Sequence, residues 1–227
     1  MGHLSGLSGR LYLQAALAVV SMASILSTKV LNLGDNMTLT FIASACFVLI
    51  ALVGGALRTW FGRIMLAGLV CCFIADLTGP GDFLLGLYFF LVAHLFFMGA
   101  FALRGLNARY AWISLAISLL VTIAIMAYFF PHIEPGERIA IIAYAAVIGL
   151  MLAFAGGTFG YDPERMGPVI LAGAILFYIS DIVVAAWHIV GGDFPYAYVC
   201  YPLYYLACIL LAFTAGERPH RQESRRE

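Results

Sequence analysis

Long apolar runs dominate this chain of 227 residues, and each is about as long as a helix that crosses a membrane. A spanning helix needs about 20 residues, whereas a spanning β-strand needs only about ten. Backbone polar groups in lipid must be satisfied internally, so runs of this length predict helices rather than barrel strands. The predicted fold class is all-α, a polytopic membrane helical bundle with eight transmembrane helices at about 11–28, 37–57, 63–79, 83–103, 110–130, 138–156, 166–190 and 194–215.

The composition leaves little room for a separate soluble domain. Apolar residues make up 63% of the chain and charged residues only 11%, against about 25% charged residues in an average soluble domain. We therefore predict a single transmembrane domain over 1–227, with a short cytoplasmic tail at 217–227. The net charge is zero and no basic patch is present, which argues against nucleic acid as a partner.

The distribution of Lys and Arg predicts the orientation of the chain. Counted on alternate sides of the predicted helices, ten basic residues face one compartment and two, Lys29 and Arg138, face the other. Because basic loops stay in the cytoplasm, both termini are expected there, which in a bacterium means the inner membrane. Ser21-Met22-Ala23 could also mark signal-peptide cleavage. The run continues through Leu26 to a spanning length, which favours a retained helix.

Two stretches of the sequence resemble each other, and each carries an aspartate within an apolar run. They begin at Leu66 and Leu171 with Leu-Ala-Gly, reach Asp76 and Asp181 at the same spacing, and continue to a Gly-Asp-Phe turn. This pattern predicts a parallel internal repeat, with half-repeats at about 10–105 and 106–216, related by rotation about the membrane normal. Both aspartates would then lie at similar depth and could face one central cavity.

Ionisable side chains inside a membrane are costly, at about 2.5–3.5 kcal/mol each on insertion scales, and indicate function by default. Asp76 and Asp181 facing one cavity would form an acid/base pair, one protonated and one ionised. The alternative for each aspartate is a structural hydrogen bond to a neighbouring helix. His94, in the middle of the fourth run, suits a head-group contact, a proton shuttle or a satisfied core histidine.

Other polar groups are weaker candidates. Tyr178 lies one helical turn before Asp181, and Tyr201 and Tyr205 share a stripe of the eighth helix with Tyr198. These tyrosines either line a cavity or pack in the core, and Tyr144 is assigned to packing. The five cysteines are interpreted as small buried hydrophobes. Asp76, His94, Asp181 and His188 lack the spacing of a zinc site, so we expect no metal and no cofactor.

Three blocks of the sequence carry a resemblance to a known family. The blocks LAGLVCCFIADLTGPGDFLLGLYFFLVAHLFFMGAF, LAGAILFYISDIVVAAW and YPLYYLACILLA resemble the lysoplasmalogenase (YhhN-like) family of polytopic membrane proteins, over roughly Leu66 to Ala215. The resemblance implies eight membrane helices and hydrolysis of the vinyl ether bond of lysoplasmalogens to a fatty aldehyde and a glycerophospho-alcohol. It places the family's two aspartates on Asp76 and Asp181 and its helix-four histidine on His94.

The residues suit this chemistry independently. Vinyl ether cleavage needs a carboxylic acid to protonate carbon and a carboxylate to stabilise the cation and activate water, as in glycoside hydrolysis. We expect a lysophospholipid substrate among membrane lipids, with Asp76 and Asp181 as the catalytic residues. The alternative function is a proton-coupled transporter or a lipid-binding membrane protein that uses the same aspartates. The polar end of the substrate would be bound by His94, Tyr178, Tyr201 and Tyr205.

Overall fold

The structure, a computed structural model, describes residues 2–217, with side chains from residue 9 onward. Within residues 2–217 the chain forms eight α-helices and no strand, and all eight helices are long and apolar enough to cross a membrane. The predicted all-α fold class is confirmed. The predicted tail lies outside the described residues beyond Glu217. The helices are α1 (Gly2–Lys29), α2 (Asn36–Gly54), α3 (Trp60–Thr78), α4 (Phe83–Arg104), α5 (Ala108–Phe129), α6 (Arg138–Tyr161), α7 (Gly167–Ile189) and α8 (Tyr196–Thr214).

Polar caps set several helix starts. The side chain of Asp35 accepts a hydrogen bond from the Thr38 amide of α2 at 2.7 Å, and Asp82 accepts one from the Leu85 amide of α4 at 3.0 Å. These bonds satisfy amides that lack a partner in the first turn of a helix. At the other end of α2, Gly55 adopts φ 100°, which stops the helix three residues before the predicted position.

Helix α6 runs to Tyr161, five residues beyond the predicted end at 156. Gly156 and Gly157 lie inside the helix as packing positions, since a Cβ on Gly157 would lie only 3.0 Å from the side chain of Ala111 in α5. Small residues allow transmembrane helices to approach closely.

Consecutive helices pack in pairs, α1 with α2, α3 with α4, α5 with α6 and α7 with α8. The α3 and α4 pair is especially close at its turn, because a Cβ on Gly86 would lie 2.7 Å from the Cα of Gly79. Contacts of α2 and α3 with α8, and of α4 and α7 with α6, join the pairs into one bundle, while α5 lies at its edge. This packing brings the end of α3 against the start of α4. The predicted internal repeat stays a prediction.

A buried ion pair joins the end of α4 to the turn between α6 and α7. Nε and Nη2 of Arg104 donate to Oδ2 of Asp162 at 2.9 and 2.6 Å, and Arg104 is only 2% exposed. The guanidinium also lies over the ring of Phe61 in α3, 5.3 Å from its centroid. Arg104, counted in the sequence as a loop charge, therefore ties three helices together.

Replacing one partner of this pair is expected to destabilise the bundle. Asp162→Ala would leave the Arg104 guanidinium buried without its acceptor, at a cost of about 3–5 kcal/mol. Unfolding in detergent micelles measures this loss, and Arg109→Gln at an exposed position is the control. The double variant Arg104→Leu/Asp162→Ala should recover part of the stability. An Asp162→Ala protein as stable as the control would contradict the structural role of the pair.

Candidate functional site

A cavity of about 550 Å³ opens at the end of the bundle where α3 ends and α4 begins. This volume falls within the usual range of sites for small molecules. Both predicted catalytic aspartates, Asp76 and Asp181, line the cavity, and its walls are mostly apolar, with Leu87, Phe90 and Val184 among them. The cavity can therefore hold a molecule with a hydrocarbon part beside two carboxyl groups.

Asp76 of α3 is held by hydroxyl groups from two other helices. Its Oδ2 accepts hydrogen bonds from Ser44 Oγ of α2 at 2.5 Å, and from Tyr204 OH and Tyr205 OH of α8 at 3.0 and 3.3 Å. The Ser44 and Tyr205 hydroxyls are also 2.8 Å from each other. One carboxyl group thus joins α2, α3 and α8 through a connected network of polar groups.

Asp181 of α7 has different surroundings. Its Oδ2 accepts a hydrogen bond from Tyr144 OH of α6, and Nε2 of His94 in α4 lies 3.8 Å from the same oxygen. Nδ1 of His94 is 2.6 Å from the carbonyl oxygen of Phe90. Because a carbonyl can only accept, Nδ1 carries a proton, and a neutral His94 ring would then present the lone pair of Nε2 towards Asp181.

The structure brings together most of the residues that the sequence proposed for the site. Tyr201 lines the cavity with the two aspartates. His94 and Tyr205 are fully buried and contact Asp181 and Asp76 from within the bundle. Their expected role in binding the polar end of the substrate stays a prediction.

Tyr178 is not brought to the main cavity. It borders a second space of about 60 Å³ beside α5, which Tyr144 and Asp181 also line. Its hydroxyl lies 2.7 Å from that of Thr122 and donates to the carbonyl oxygen of Ser118 at 3.3 Å. Tyr178 does lie one helical turn before Asp181, as predicted. Its hydrogen-bond partners, however, come from the neighbouring helix α5. The sequence does not predict which helix packs against this face of α7.

Four residues of the site were not predicted from the sequence to belong to it. Tyr144 was assigned to packing, yet its hydroxyl donates to Asp181. Ser44 and Tyr204 both bond to Asp76. Lys29, counted only as a charge, lines the cavity, with its Nζ 4.7 Å from the centre of the Tyr201 ring. One signal was present for Lys29, because it ends α1 on the predicted side of Asp76.

His188 is exposed near the end of α7. Its ring stacks on Phe83 with 3.5 Å between the centroids, its Nε2 lies 2.9 Å from a carboxylate oxygen of Glu137, and 30% of its side chain is exposed. It lines the mouth of the cavity. Within the described part of the chain, no group of three or more His, Cys, Asp and Glu side chains could hold a metal ion.

Comparison with known proteins gives consistent matches. The YhhN family matches residues 35–215, which includes every described helix except α1. The chain is 31% identical to the lysoplasmalogenase TMEM86B of Mus musculus over 74% of this chain and 69% of that protein. It is 30% identical to that of Rattus norvegicus over 77% and 70%, and 28% identical to that of Homo sapiens over 70% and 66%. No solved structure matches the chain.

The hydroxyl network around Asp76 predicts how the protein responds to substitution there. Asp76→Asn keeps an acceptor oxygen, whereas Asp76→Leu removes the acceptor that three hydroxyl groups share, and only Ser44 and Tyr205 can then bond to each other. Because an unsatisfied buried polar group costs about 1–3 kcal/mol, we expect Asp76→Leu to be less stable than Asp76→Asn by at least about 2 kcal/mol. Unfolding in detergent compares the two variants. Equal stability would show that the network does not hold α2, α3 and α8 together.

Proposed function

This chain belongs to the YhhN family, and on that premise we propose that it is a membrane hydrolase that cleaves the vinyl ether bond of lysoplasmalogens. The products are a fatty aldehyde and a glycerophospho-alcohol. The observation that carries the proposal is the cavity inside an apolar helical bundle, because it places Asp76 and Asp181 beside space for a hydrocarbon chain. The relatives named lysoplasmalogenase support the choice of substrate.

The chemistry asks for two carboxyl groups in different protonation states. A lysoplasmalogen joins its hydrocarbon chain to glycerol through an oxygen next to a carbon–carbon double bond. Protonation of the outer carbon of that double bond gives an oxocarbenium ion, which water captures as a hemiacetal. An acid must supply the proton, and a carboxylate must stabilise the cation and accept a proton from water, the same division of roles as in glycoside hydrolysis.

The surroundings of the aspartates support a division in which Asp181 is the acid and Asp76 the carboxylate. Asp76 accepts hydrogen bonds from three hydroxyl groups, and the ammonium of Lys29 attracts it electrostatically. These donors and this charge oppose the cost of burying a carboxylate, and Asp76 has more of them than Asp181. Asp181 accepts from one hydroxyl and faces the lone pair of His94. A lone pair beside a carboxyl favours its protonated form.

The proposed cycle restores both groups. Asp181 gives its proton to carbon, and the electron pair of the double bond forms the new C–H bond. Water adds to the oxocarbenium carbon and gives a proton to Asp76. Asp76 then protonates the glycerol oxygen as its bond to carbon breaks, and the hemiacetal hydroxyl returns a proton to Asp181. The balance is one water consumed and one aldehyde and one alcohol released.

We also propose that both termini face the cytoplasm, on the strength of the Lys and Arg distribution. The mouth of the cavity would then lie on the other side, since Lys29 and the turn after α3 border it. A cysteine introduced at Glu134, in the turn before α6, should react with a membrane-impermeant thiol reagent added to intact cells. A cysteine at Glu164, in the turn before α7, should be protected, and the reverse pattern would refute the orientation.

The purified protein in detergent should release a fatty aldehyde from a lysoplasmalogen without any ion gradient. General acid–base catalysis typically contributes about 10²–10⁴-fold, so Asp76→Asn and Asp181→Asn should each lose at least about 100-fold in turnover. Aldehyde is measured by a coupled dehydrogenase assay. Asp193→Asn, in the exposed turn before α8, is the matched control and should keep the parent rate.

A folded parent that releases no aldehyde from either choline or ethanolamine lysoplasmalogens would refute the proposed reaction. It would shift the interpretation towards lipid binding or transport. Full turnover in either folded Asp→Asn variant would leave the reaction in place and refute the role of that aspartate.

Infrared spectroscopy tests the division of roles. At neutral pH the parent should show the carbonyl band of a protonated carboxyl group buried in the bundle. Asp181→Asn should lose that band and Asp76→Asn should keep it, because only the first removes the proposed acid. If Asp76→Asn lost the band and Asp181→Asn kept it, Asp76 would be the acid and Asp181 the carboxylate.

A further inference from the structure

The cavity is lined by a cationic group that takes no part in the proton transfers of the proposed reaction, although its charge also favours an ionised Asp76. Lys29, the last residue of α1, lines the cavity and is partly buried. Its ammonium lies 4.7 Å from the centre of the Tyr201 ring. Within the described part of the chain, no ion pair joins Lys29 to a carboxylate. The positive charge of Lys29 is therefore available to an anion in the cavity.

The other basic side chain that lines the cavity is already engaged. Nε2 of His188 lies 2.9 Å from a carboxylate oxygen of Glu137, and its ring stacks on Phe83. A protonated His188 would thus be neutralised by Glu137. Lys29 is the better candidate for attracting a negatively charged ligand to this end of the cavity.

Asn36 supplies a second donor to the same cavity. It is the first residue of α2 and also lines the cavity. Its Oδ1 lies 3.3 Å from the Thr28 hydroxyl and 3.5 Å from the Thr40 hydroxyl, which both donate to it. With the oxygen of the amide directed to these hydroxyls, the NH₂ group of Asn36 remains to donate to a ligand.

We propose that Lys29 and Asn36 bind the phosphate group of the lysophospholipid. This inference rests on the proposed function, because the substrate class supplies the phosphate. An ammonium and an amide NH₂ are both donors to phosphate oxygens, and hydrogen bonds to a charged group are stronger than neutral ones. Asp76 lies two residues before the end of α3, on the side of the bundle where α1 ends.

The subsite explains how a flexible lipid is aligned in the cavity. In a lysoplasmalogen the glycerol unit separates the phosphate from the vinyl ether. A phosphate held by Lys29 and Asn36 at the mouth places the vinyl ether one glycerol unit deeper, towards Asp76 and Asp181. The hydrocarbon chain then continues along the apolar wall that includes Leu87 and Phe90. The two donors thereby position the substrate without touching the reacting carbons.

Binding of lipids that cannot react tests the subsite separately from catalysis. A 1-O-alkyl lysophosphocholine has no double bond, and the matching 1-O-alkylglycerol also lacks the phosphate. Equilibrium binding to the purified protein in nanodiscs can be followed through the fluorescence of Trp187, which lines the cavity. The parent should bind the phosphocholine lipid more tightly than the alkylglycerol.

Lys29→Gln should weaken binding of the phosphocholine lipid by about tenfold or more, as expected for a charge-assisted hydrogen bond. Binding of the alkylglycerol should stay unchanged. Lys29→Arg should keep the preference for phosphate. Asn36→Asp, which keeps the acceptor for Thr28 but adds a negative charge, should reduce the preference as Lys29→Gln does. Arg138→Gln is the control, since Arg138 lies over the ring of Phe130 and does not line the cavity.

The proposal is overturned if Lys29→Gln weakens both lipids equally, if it weakens neither, or if the parent has no preference for phosphate. The outcome is distinguishable from failure of the hydrolysis itself. A parent that binds the lipids in a phosphate-dependent manner but releases no aldehyde from lysoplasmalogens would retain the subsite and refute the reaction. A parent that releases aldehyde but shows no phosphate preference would retain the reaction and refute the subsite.

Discussion

The cost of placing carboxyl groups inside a membrane protein governs the organisation of this bundle. A charged or polar group in hydrocarbon needs partners, and these must come from other helices because the backbone of each helix is already paired. Asp76 draws hydroxyl groups from α2 and α8, and Asp181 draws one from α6. The two aspartates therefore act as junctions at which helices distant in the sequence meet.

The need for polar partners also gives the two carboxyl groups different surroundings. They occupy similar positions in two similar stretches of sequence, and both border one cavity. Their partners nevertheless differ, with three hydroxyl donors at Asp76, and one hydroxyl and the imidazole of His94 near Asp181. A pair of titratable groups whose surroundings favour opposite protonation states is what acid/base chemistry at one site requires. In the proposed function, the apolar wall takes the hydrocarbon chain of the lysophospholipid, and Lys29 and Asn36 take its phosphate.

The sequence predicted the parts of this structure that depend on local pattern. Run length gave the helices within the described residues, with errors only at ends such as Gly55 and Tyr161, where backbone conformation or packing decided the boundary. The cost of burying a charge singled out Asp76 and Asp181 in the sequence, and both line the cavity. The sequence did not predict which helices contact each other. Tyr144 and Tyr178 look alike in the sequence, and only the packing of α5, α6 and α7 directs one hydroxyl to Asp181 and the other to Thr122.

Protonation at carbon is the central step of the proposed reaction, and hydrolysis in D₂O observes it directly. The released aldehyde should be trapped at once and analysed by mass spectrometry, with aldehyde added to the protein in D₂O as the control for exchange. The account predicts one deuterium on the carbon next to the carbonyl, transferred from the exchanged acid. An aldehyde with no deuterium at that carbon would contradict carbon protonation and with it the assignment of the two aspartates.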